Sequence, residues 1–131
     1  MTEKRVTESS SAELSKCLED MNRKGGFENA VITDMQGFPI ASSVGAGGDA
    51  ERQSAVVAMV QRTAQQVKHH LGMAQPDEIS LADEGGKRLV CRPFSVRGQE
   101  LILAVQVPDR NLAYRGLTNQ TIKTIQKVWK L

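Results

Sequence analysis

The sequence predicts an α/β (α+β) sandwich, in which a five-stranded antiparallel sheet lies between a long central helix on one face and the N- and C-terminal helices on the other. Residues 51–71 repeat apolar side chains at the helical period, whereas residues 30–43 and 78–107 hold short β-rich runs separated by glycine turns. The last of these runs is apolar on both faces, which is typical of a sheet covered on both sides. The predicted order of elements is α-β-β-α-β-β-β-α.

The N-terminal part of the chain predicts a tail followed by a helix. Residues 1–9 are polar and show no regular period, so we expect a flexible tail before a single domain over residues 10–131. Ser10 opens a capping-box pattern, which predicts the start of the first helix. The Gly25-Gly26 pair is expected to end it.

Residues 30–43 predict a hairpin. Residues 30–33 are β-rich, residues 34–37 form a turn with glycine at its last position, and residues 38–43 continue as the second strand. Pro39 has no amide hydrogen to donate to a neighbouring strand, so this strand is expected at an edge of the sheet.

Residues 78–83, 88–96 and 100–107 predict three further strands joined by short glycine-containing turns. The first of them is short and lies between a proline and a glycine pair. We therefore expect residues 78–83 at the other edge, with backbone groups free to pair with a second subunit.

The central helix is expected to be buried on two sides. Asp49 and Gly72 match its N- and C-caps, and at about 3.6 residues per turn its core stripe is Val56, Val57, Val60, Ala64, Val67 and Leu71. No charge occurs from Gln53 to Gln61, although an outer helix face usually carries charges. Roughly opposite the core stripe lies a second patch, Ala55, Ala58 and Met59, continued by Arg62 and Gln66, which we interpret as a contact with a copy of the same helix. Together with the edge strand, the predicted dimer interface is Ala55, Ala58, Met59, Arg62, Gln66, Ile79 and Leu81.

The last helix is predicted to start at Pro108-Asp109, with Leu117, Ile122, Ile125, Val128 and Trp129 on its inner side. Its basic residues, Arg110, Arg115, Lys123, Lys127 and Lys130, are interpreted as a solvated face, with an acidic partner as the alternative.

Composition excludes several classes of function. Apolar residues make up 40% of the 131 residues and the net charge is +2, a globular composition too balanced to indicate nucleic acid. No apolar run approaches the roughly 20 residues that span a bilayer, so we expect no membrane insertion. The start lacks a secretory h-region, and Cys17 and Cys91 show no disulfide pattern, so we expect free thiols in the cytoplasm.

No residue pattern predicts catalysis, a cofactor or a metal. Adjacent His69 and His70 point about 100° apart on a helix and do not form a metal pair; we interpret them as polar groups near a helix C-terminus. The glycine-rich segment 45–48 lacks the Gly-Lys-Ser/Thr ending of a phosphate loop and is interpreted as a linker. Cys91 lies among apolar residues, which favours a buried, inert thiol. The chain is therefore expected to bind partners without chemistry of its own.

The pattern resembles the Roadblock/dynein light-chain family, in its bacterial or archaeal GTPase-regulator type. The resemblance is carried by GFENAVITDMQGFPIASS, the helix ERQSAVVAMVQRTAQQV, EISLADEGGKRLVCRPF and ELILAVQVP, and by the order of elements over most of residues 10–130. It implies a homodimer, formed through the central helix and an edge strand, that binds a Ras-like small GTPase and modulates its hydrolysis or localisation without a catalytic site of its own. The alternative is a scaffold or sensor domain that binds another protein or a small ligand without acting on a GTPase.

The resemblance supplies the partner class, and the helix wheel supplies residues that could reach it. These predicted partner-binding residues are Arg52, Arg62, Gln65, Gln66 and His69. The guanidinium of Arg62 can bridge carboxylates or stabilise phosphate charge. Its alternative role is a salt bridge or stacking contact within the dimer.

Overall fold

The computed structural model describes residues 2–130, with side chains from Ser10 to Lys130, and over that range the elements follow the predicted order. The helices are α1 (Thr2–Gly25), α2 (Ala50–Leu71) and α3 (Arg115–Val128). The strands are β1 (Ala30–Asp34), β2 (Pro39–Ser43), β3 (Ile79–Ala82), β4 (Arg88–Val96) and β5 (Gln99–Val107).

The strands form one antiparallel sheet in the order β2-β1-β5-β4-β3. The longest pairing joins β4 and β5, from Arg88 opposite Val107 to Val96 opposite Gln99. β2 and β3 are the two edges, which confirms the edge positions predicted for the strand of Pro39 and for the short strand near residue 80.

Both faces of the sheet are covered, as the apolar pattern of β5 predicts. Leu103 and Val105 pack with residues of α1 and α3 in one buried cluster. Ile102 and Ala104 pack with Val57 of α2 in a second cluster on the opposite face. The sandwich arrangement is therefore confirmed.

Two helix starts differ from the sequence prediction. α1 begins at Thr2, and Ser10 lies buried inside it, because the preceding residues include the good helix formers Glu, Lys and Arg. The idea of a separate flexible tail over residues 1–9 stays a prediction, since Met1 and the side chains before Ser10 lie outside the described residues. α3 begins at Arg115, because the Asp109 carboxylate accepts a hydrogen bond from the amide of Asn111 at 2.8 Å and forms a turn instead of a helix start.

The turn between β1 and β2 lies directly against α2. Gly37 has φ +89°, and a Cβ added there would lie 2.6 Å from the Cβ of Ala58 and 2.9 Å from the carbonyl oxygen of Ser54. Asp34 stabilises the turn by accepting the amides of Gln36 at 2.9 Å and Phe38 at 3.0 Å. Ala58, a predicted dimer residue, thus contacts the chain's own hairpin through its small side chain.

The ends of α2 agree with the predicted caps. The Asp49 carboxylate accepts the amide of Arg52 at 3.0 Å, and Gly72 adopts a left-handed conformation with φ 64°. Within the described part of the chain, no helix is both long and apolar enough to cross a bilayer.

Candidate functional site

The side of α2 that faces the sheet is partly polar. Its buried residues are Gln53, Ser54, Val57, Gln61 and Ala64. Two of the three polar residues among them form hydrogen bonds inside the domain. Gln53 Nε2 donates to the carbonyl oxygen of Asn29 at 3.1 Å, and the Ser54 hydroxyl donates to the carbonyl oxygen of Ala50 at 2.8 Å.

The predicted core stripe of α2 is therefore only partly right. Val57 and Ala64 are buried and Val60 packs against the core, but Val56, Val67 and Leu71 are 38%, 43% and 71% exposed. The buried face of α2 is rotated relative to the predicted stripe, because polar residues occupy positions facing the sheet that the apolar pattern would assign to solvent.

One flank of α2 forms an apolar groove with β3, of about 440 Å³. We call this the apolar groove; its lining includes Met59, Val60, Val67, Met73, Ile79 and Leu81. Met59 and Leu81 are 62% and 70% exposed. β3 pairs with β4 on one side, and its other edge has no partner strand among residues 2–130. Three predicted dimer residues, Met59, Ile79 and Leu81, thus meet at one place.

The other flank of α2 borders a larger groove of about 960 Å³, which we call the polar groove. It lies at the end of the sheet where the β1–β2 turn contributes Met35 and Gln36 and the start of β5 contributes Glu100. From α2 it is lined by Ala58, Gln61, Arg62, Gln65, Gln66, His69 and His70, and beyond the helix by Gln75.

The polar groove brings together four of the five predicted partner-binding residues, namely Arg62, Gln65, Gln66 and His69. Arg52 lies apart from them, near the start of α2, with its Nε 3.9 Å from an Asp49 carboxylate oxygen. Of the predicted dimer residues, Ala58, Arg62 and Gln66 border this groove and not the apolar one, and Ala55 is exposed on the outer side of α2. Their roles in an interface stay predictions.

A buried arginine network connects the start of β3 to α3, and sequence reasoning missed it. The side chain of Arg92 is 4% exposed. Its guanidinium donates to Thr118 Oγ1 at 2.6 Å, to Asn119 Oδ1 at 2.8 Å and to the carbonyl oxygen of Asp77 at 3.1 Å. An arginine within an apolar strand carries no pattern signal of its own, because its partners lie far away in the chain.

Asp77 and Glu78 complete this network at the surface. Arg115 forms ion pairs with both carboxylates, and Tyr114 donates to Glu78 Oε2 at 2.6 Å. The hydrogen bond from Arg115 lowers the pKa of Asp77. Burial raises the pKa of Glu78, but the hydrogen bonds from Tyr114 and Arg115 outweigh it, and the net pKa is lowered. Arg115, predicted on a solvated face, therefore anchors the segment that leads into β3.

Comparison with known proteins supports the architecture. No protein-family model and no curated protein matches the sequence. Among solved structures, the gliding protein MglB from Thermus thermophilus superposes with a TM-score of 0.73 at 17% identity, covering 91% of this chain and 90% of that one. An MglB with a tetrameric arrangement superposes with a TM-score of 0.73 at 17% identity, covering 91% of this chain and 89% of that one. A Roadblock/LC7 domain from Streptomyces avermitilis superposes with a TM-score of 0.69 at 13% identity, covering 87% of this chain and 92% of that one. This chain has the Roadblock/LC7 fold.

On this Roadblock/LC7 fold both cysteine thiols are poor nucleophiles. Burial raises the pKa of the Cys91 thiol to about 12, so the nucleophilic thiolate is scarce at neutral pH. Cys17 is half-buried, and burial together with Asp20 and Glu13 raises the pKa of its thiol. Among the residues with described side chains, no group of three or more His, Cys, Asp or Glu could hold a metal. The two grooves beside α2 are suited to binding.

Proposed function

We propose that two copies of this chain form a dimer through the apolar groove and β3, and that the dimer binds a Ras-like small GTPase and modulates its GTP hydrolysis or localisation in the cytoplasm. In this proposal the chain is a regulator, and the reacting groups belong to the GTPase.

The observation that carries the dimer is the apolar groove beside an open strand edge. Exposed side chains such as Met59 and Leu81 form a contiguous apolar surface, which on soluble proteins marks an interaction site. An edge strand without charged blockers is a ready template for pairing. In a two-fold dimer each β3 would pair with the other, so that two five-stranded sheets become one. The tetrameric arrangement of one MglB supports self-association on this fold.

The polar groove supports the GTPase part of the proposal. It lies on the flank of α2 opposite the apolar groove, so a dimer formed through β3 leaves it open to another protein. Its exposed polar side chains include Arg62, whose guanidinium matches carboxylates and phosphates. The class of partner comes from the sequence resemblance. In the dimer two such grooves, together with the paired helices, offer one composite surface.

The test is a GTP hydrolysis assay with a Ras-like GTPase captured from the native cell on the wild-type protein. We expect the dimer to bind it and to change its hydrolysis rate. Arg62→Ala should weaken binding of the GTPase, and the change in its hydrolysis rate should shrink in proportion to the loss of binding, because we assign Arg62 a positioning role. Arg52→Ala is the comparison on the same helix: this arginine was also predicted to bind the partner but lies outside the polar groove, so if the groove is the binding surface the variant should bind as the wild type does.

Two results would contradict this assignment. A loss of a few hundred-fold or more in stimulation by Arg62→Ala, with dimer and binding intact, indicates an inserted arginine finger, which contributes about 10³–10⁵ in rate. If no Ras-like protein binds the intact dimer in either nucleotide state, the GTPase proposal is wrong.

A further inference from the structure

The C-terminal segment of the sequence, residues 110–131, is strongly basic. It contains five of the 17 basic residues of the protein and none of its 15 acidic residues, so the rest of the chain is net negative. α3 lies in this segment. The helix dipole accounts for Lys127 in the last turn, but acidic residues near the start of a helix are also stabilising, and this helix has none. The one-sided composition indicates a role for the charge beyond the stability of the helix.

Some of this charge has no counterpart within the described structure. Arg115 and Lys130 form ion pairs with carboxylates of other elements. Lys123 and Lys127 are exposed, lie one turn apart and form no ion pair among the side chains described from Ser10 to Lys130. The same holds for Lys24 in the last turn of α1. We call Lys24, Lys123 and Lys127 the unpaired lysines.

A depression of about 120 Å³ lies in the seam where α1 packs on α3. Its apolar lining is Cys17, Met21 and Leu117, and its polar lining is Asp20, Lys24, Gln120, Thr121 and Thr124. The three apolar residues belong to the core cluster or pack against it, so the depression opens onto the edge of the core. Its volume is well below the roughly 300–1,000 Å³ of small-molecule sites, and it suits a single side chain.

The unpaired lysines border this depression. Lys24 lines it directly. Lys123 and Lys127 follow Gln120, which lines it from α3, by three and seven residues, the spacing of one helix face. The acidic residue of the lining, Asp20, is already engaged in an ion pair within α1. The seam therefore offers a partly apolar seat with positive charge beside it on both helices.

We propose that the seam between α1 and α3 binds an acidic segment of a second protein, with one apolar side chain in the depression and carboxylates beside the unpaired lysines. A protein segment is favoured over a lipid surface because the depression recedes between two helices, where a side chain can enter, whereas anionic headgroups need only a basic surface. The seam lies on the face of the sheet opposite α2, so this partner is additional to the one proposed for the polar groove and the inference does not depend on it.

The first test is an NMR titration of the ¹⁵N-labelled full chain at pH 7 with the capped peptide acetyl-Asp-Glu-Leu-Glu-Asp-amide. We expect saturable shifts of the backbone amides of Cys17, Gln120 and Thr124 below about 5 mM at low salt, a range suited to a few weak contacts. The amide of Gln65 on α2 should not shift. Raising the salt from about 10 mM to about 150 mM shortens the Debye length from about 30 Å to about 8 Å and should weaken binding at least about threefold.

Two control peptides separate the apolar contact from the charge. Replacing the leucine by alanine, or the four acidic residues by their amides, should each weaken binding at least about fivefold. Equal binding of the alanine peptide means that only charge is recognised, and equal binding of the amide peptide means that charge is not. Either result overturns the inference, as does the absence of any shift at about 5 mM.

The second test compares Lys123→Glu with Lys87→Glu. Both substitutions change the net charge equally and both lysines are exposed, but Lys87 lies in the turn between β3 and β4. Glutamate at 123 precedes Lys127 by one turn, a favourable helical pair, so the fold should be retained. Lys123→Glu should weaken binding of the leucine peptide at least about fivefold, and Lys87→Glu by less than about twofold. Equal losses mean attraction to the net charge alone and overturn the inference.

A lipid surface is tested with vesicles of phosphatidylserine and phosphatidylcholine. We expect no cosedimentation of the chain with them at about 150 mM salt, because so few unpaired lysines give little attraction once it is screened. Cosedimentation that Lys123→Glu abolishes, without binding of the leucine peptide, assigns the seam to a membrane and overturns the inference.

Discussion

Truncation of Leu81 tests the apolar groove as a dimer contact. Leu81 lies on the unpaired edge strand β3, and 70% of it is exposed in the single chain. Full burial of a leucine side chain contributes about 1.5–3 kcal/mol, so covering its exposed part contributes about 1–2 kcal/mol. Alanine retains one carbon of the side chain, which leaves a loss of about 1–1.5 kcal/mol per copy.

The two-fold symmetry of the proposed dimer doubles this loss. Each dimer contains Leu81 twice, so Leu81→Ala should cost about 2–3 kcal/mol of association free energy and raise the dimer Kd about 30–150-fold. The fold itself should be nearly unaffected, because truncation of an exposed side chain changes the free energy of unfolding by less than about 0.5 kcal/mol.

Sedimentation equilibrium of wild type and variants over a range of concentrations measures the Kd directly. Phe38→Ala is the matched control: Phe38 is 68% exposed, close to the value for Leu81, but it precedes β2 at the opposite edge of the sheet. A Kd for Leu81→Ala within about threefold of wild type, or an equal loss in Phe38→Ala, would refute the reasoning that the dimer forms at the β3 edge.

Three further predictions concern the fold that holds the grooves. Gly37→Ala should destabilise the protein by about 1 kcal/mol more than Gly47→Ala in urea unfolding, because both glycines have positive φ but only Gly37 contacts α2; equal losses would show that the hairpin contact is unimportant. Arg97→Asn should stabilise by about 0.5 kcal/mol, because Arg97 and Gly98 have φ 48° and 80° in the two-residue β4–β5 turn and asparagine tolerates that region better; an unchanged urea midpoint would contradict this. Because the folded state holds the pKa of Glu78 below its unfolded value of about 4.3, its contribution to stability is present above that pH and disappears as pH falls through the folded pKa. Glu78→Gln should therefore flatten the decline of Tm below about pH 4.3, as should Arg115→Ala, and a decline as steep as that of wild type in both would contradict the network.

The sequence pattern predicts the architecture well because periodicity reports burial on a sheet. The alternation of Leu103 and Val105 with Ile102 and Ala104 predicts two covered faces, and both are found. The same logic fails on α2, where polar residues face the sheet. Gln53 and Ser54 can be buried because their side chains donate hydrogen bonds to the carbonyl oxygens of Asn29 and Ala50. The hydropathy of the sequence does not reveal these hydrogen bonds.

The candidate site is less predictable because its parts come from distant segments. Arg62, Gln65 and His69, which the helix wheel places off the core stripe, lie together at the polar groove. The helix wheel cannot show that the β1–β2 turn and Glu100 complete a groove there, since that depends on the order of strands in the sheet. Arg92 was missed for the same reason, as its partners lie 15 to 27 residues away in the chain.

The most direct test of the proposed regulator is the composition of its complex with a Ras-like GTPase from the same organism. Analytical ultracentrifugation of the wild-type chain should be run with that GTPase bound to GDP and to a non-hydrolysable GTP analogue. We predict a dimer of this chain alone and, in at least one nucleotide state, a complex in which two copies share one GTPase. A monomeric chain at tens of micromolar, an order of magnitude suited to moderate affinity, or the absence of any complex in both nucleotide states, would contradict the account.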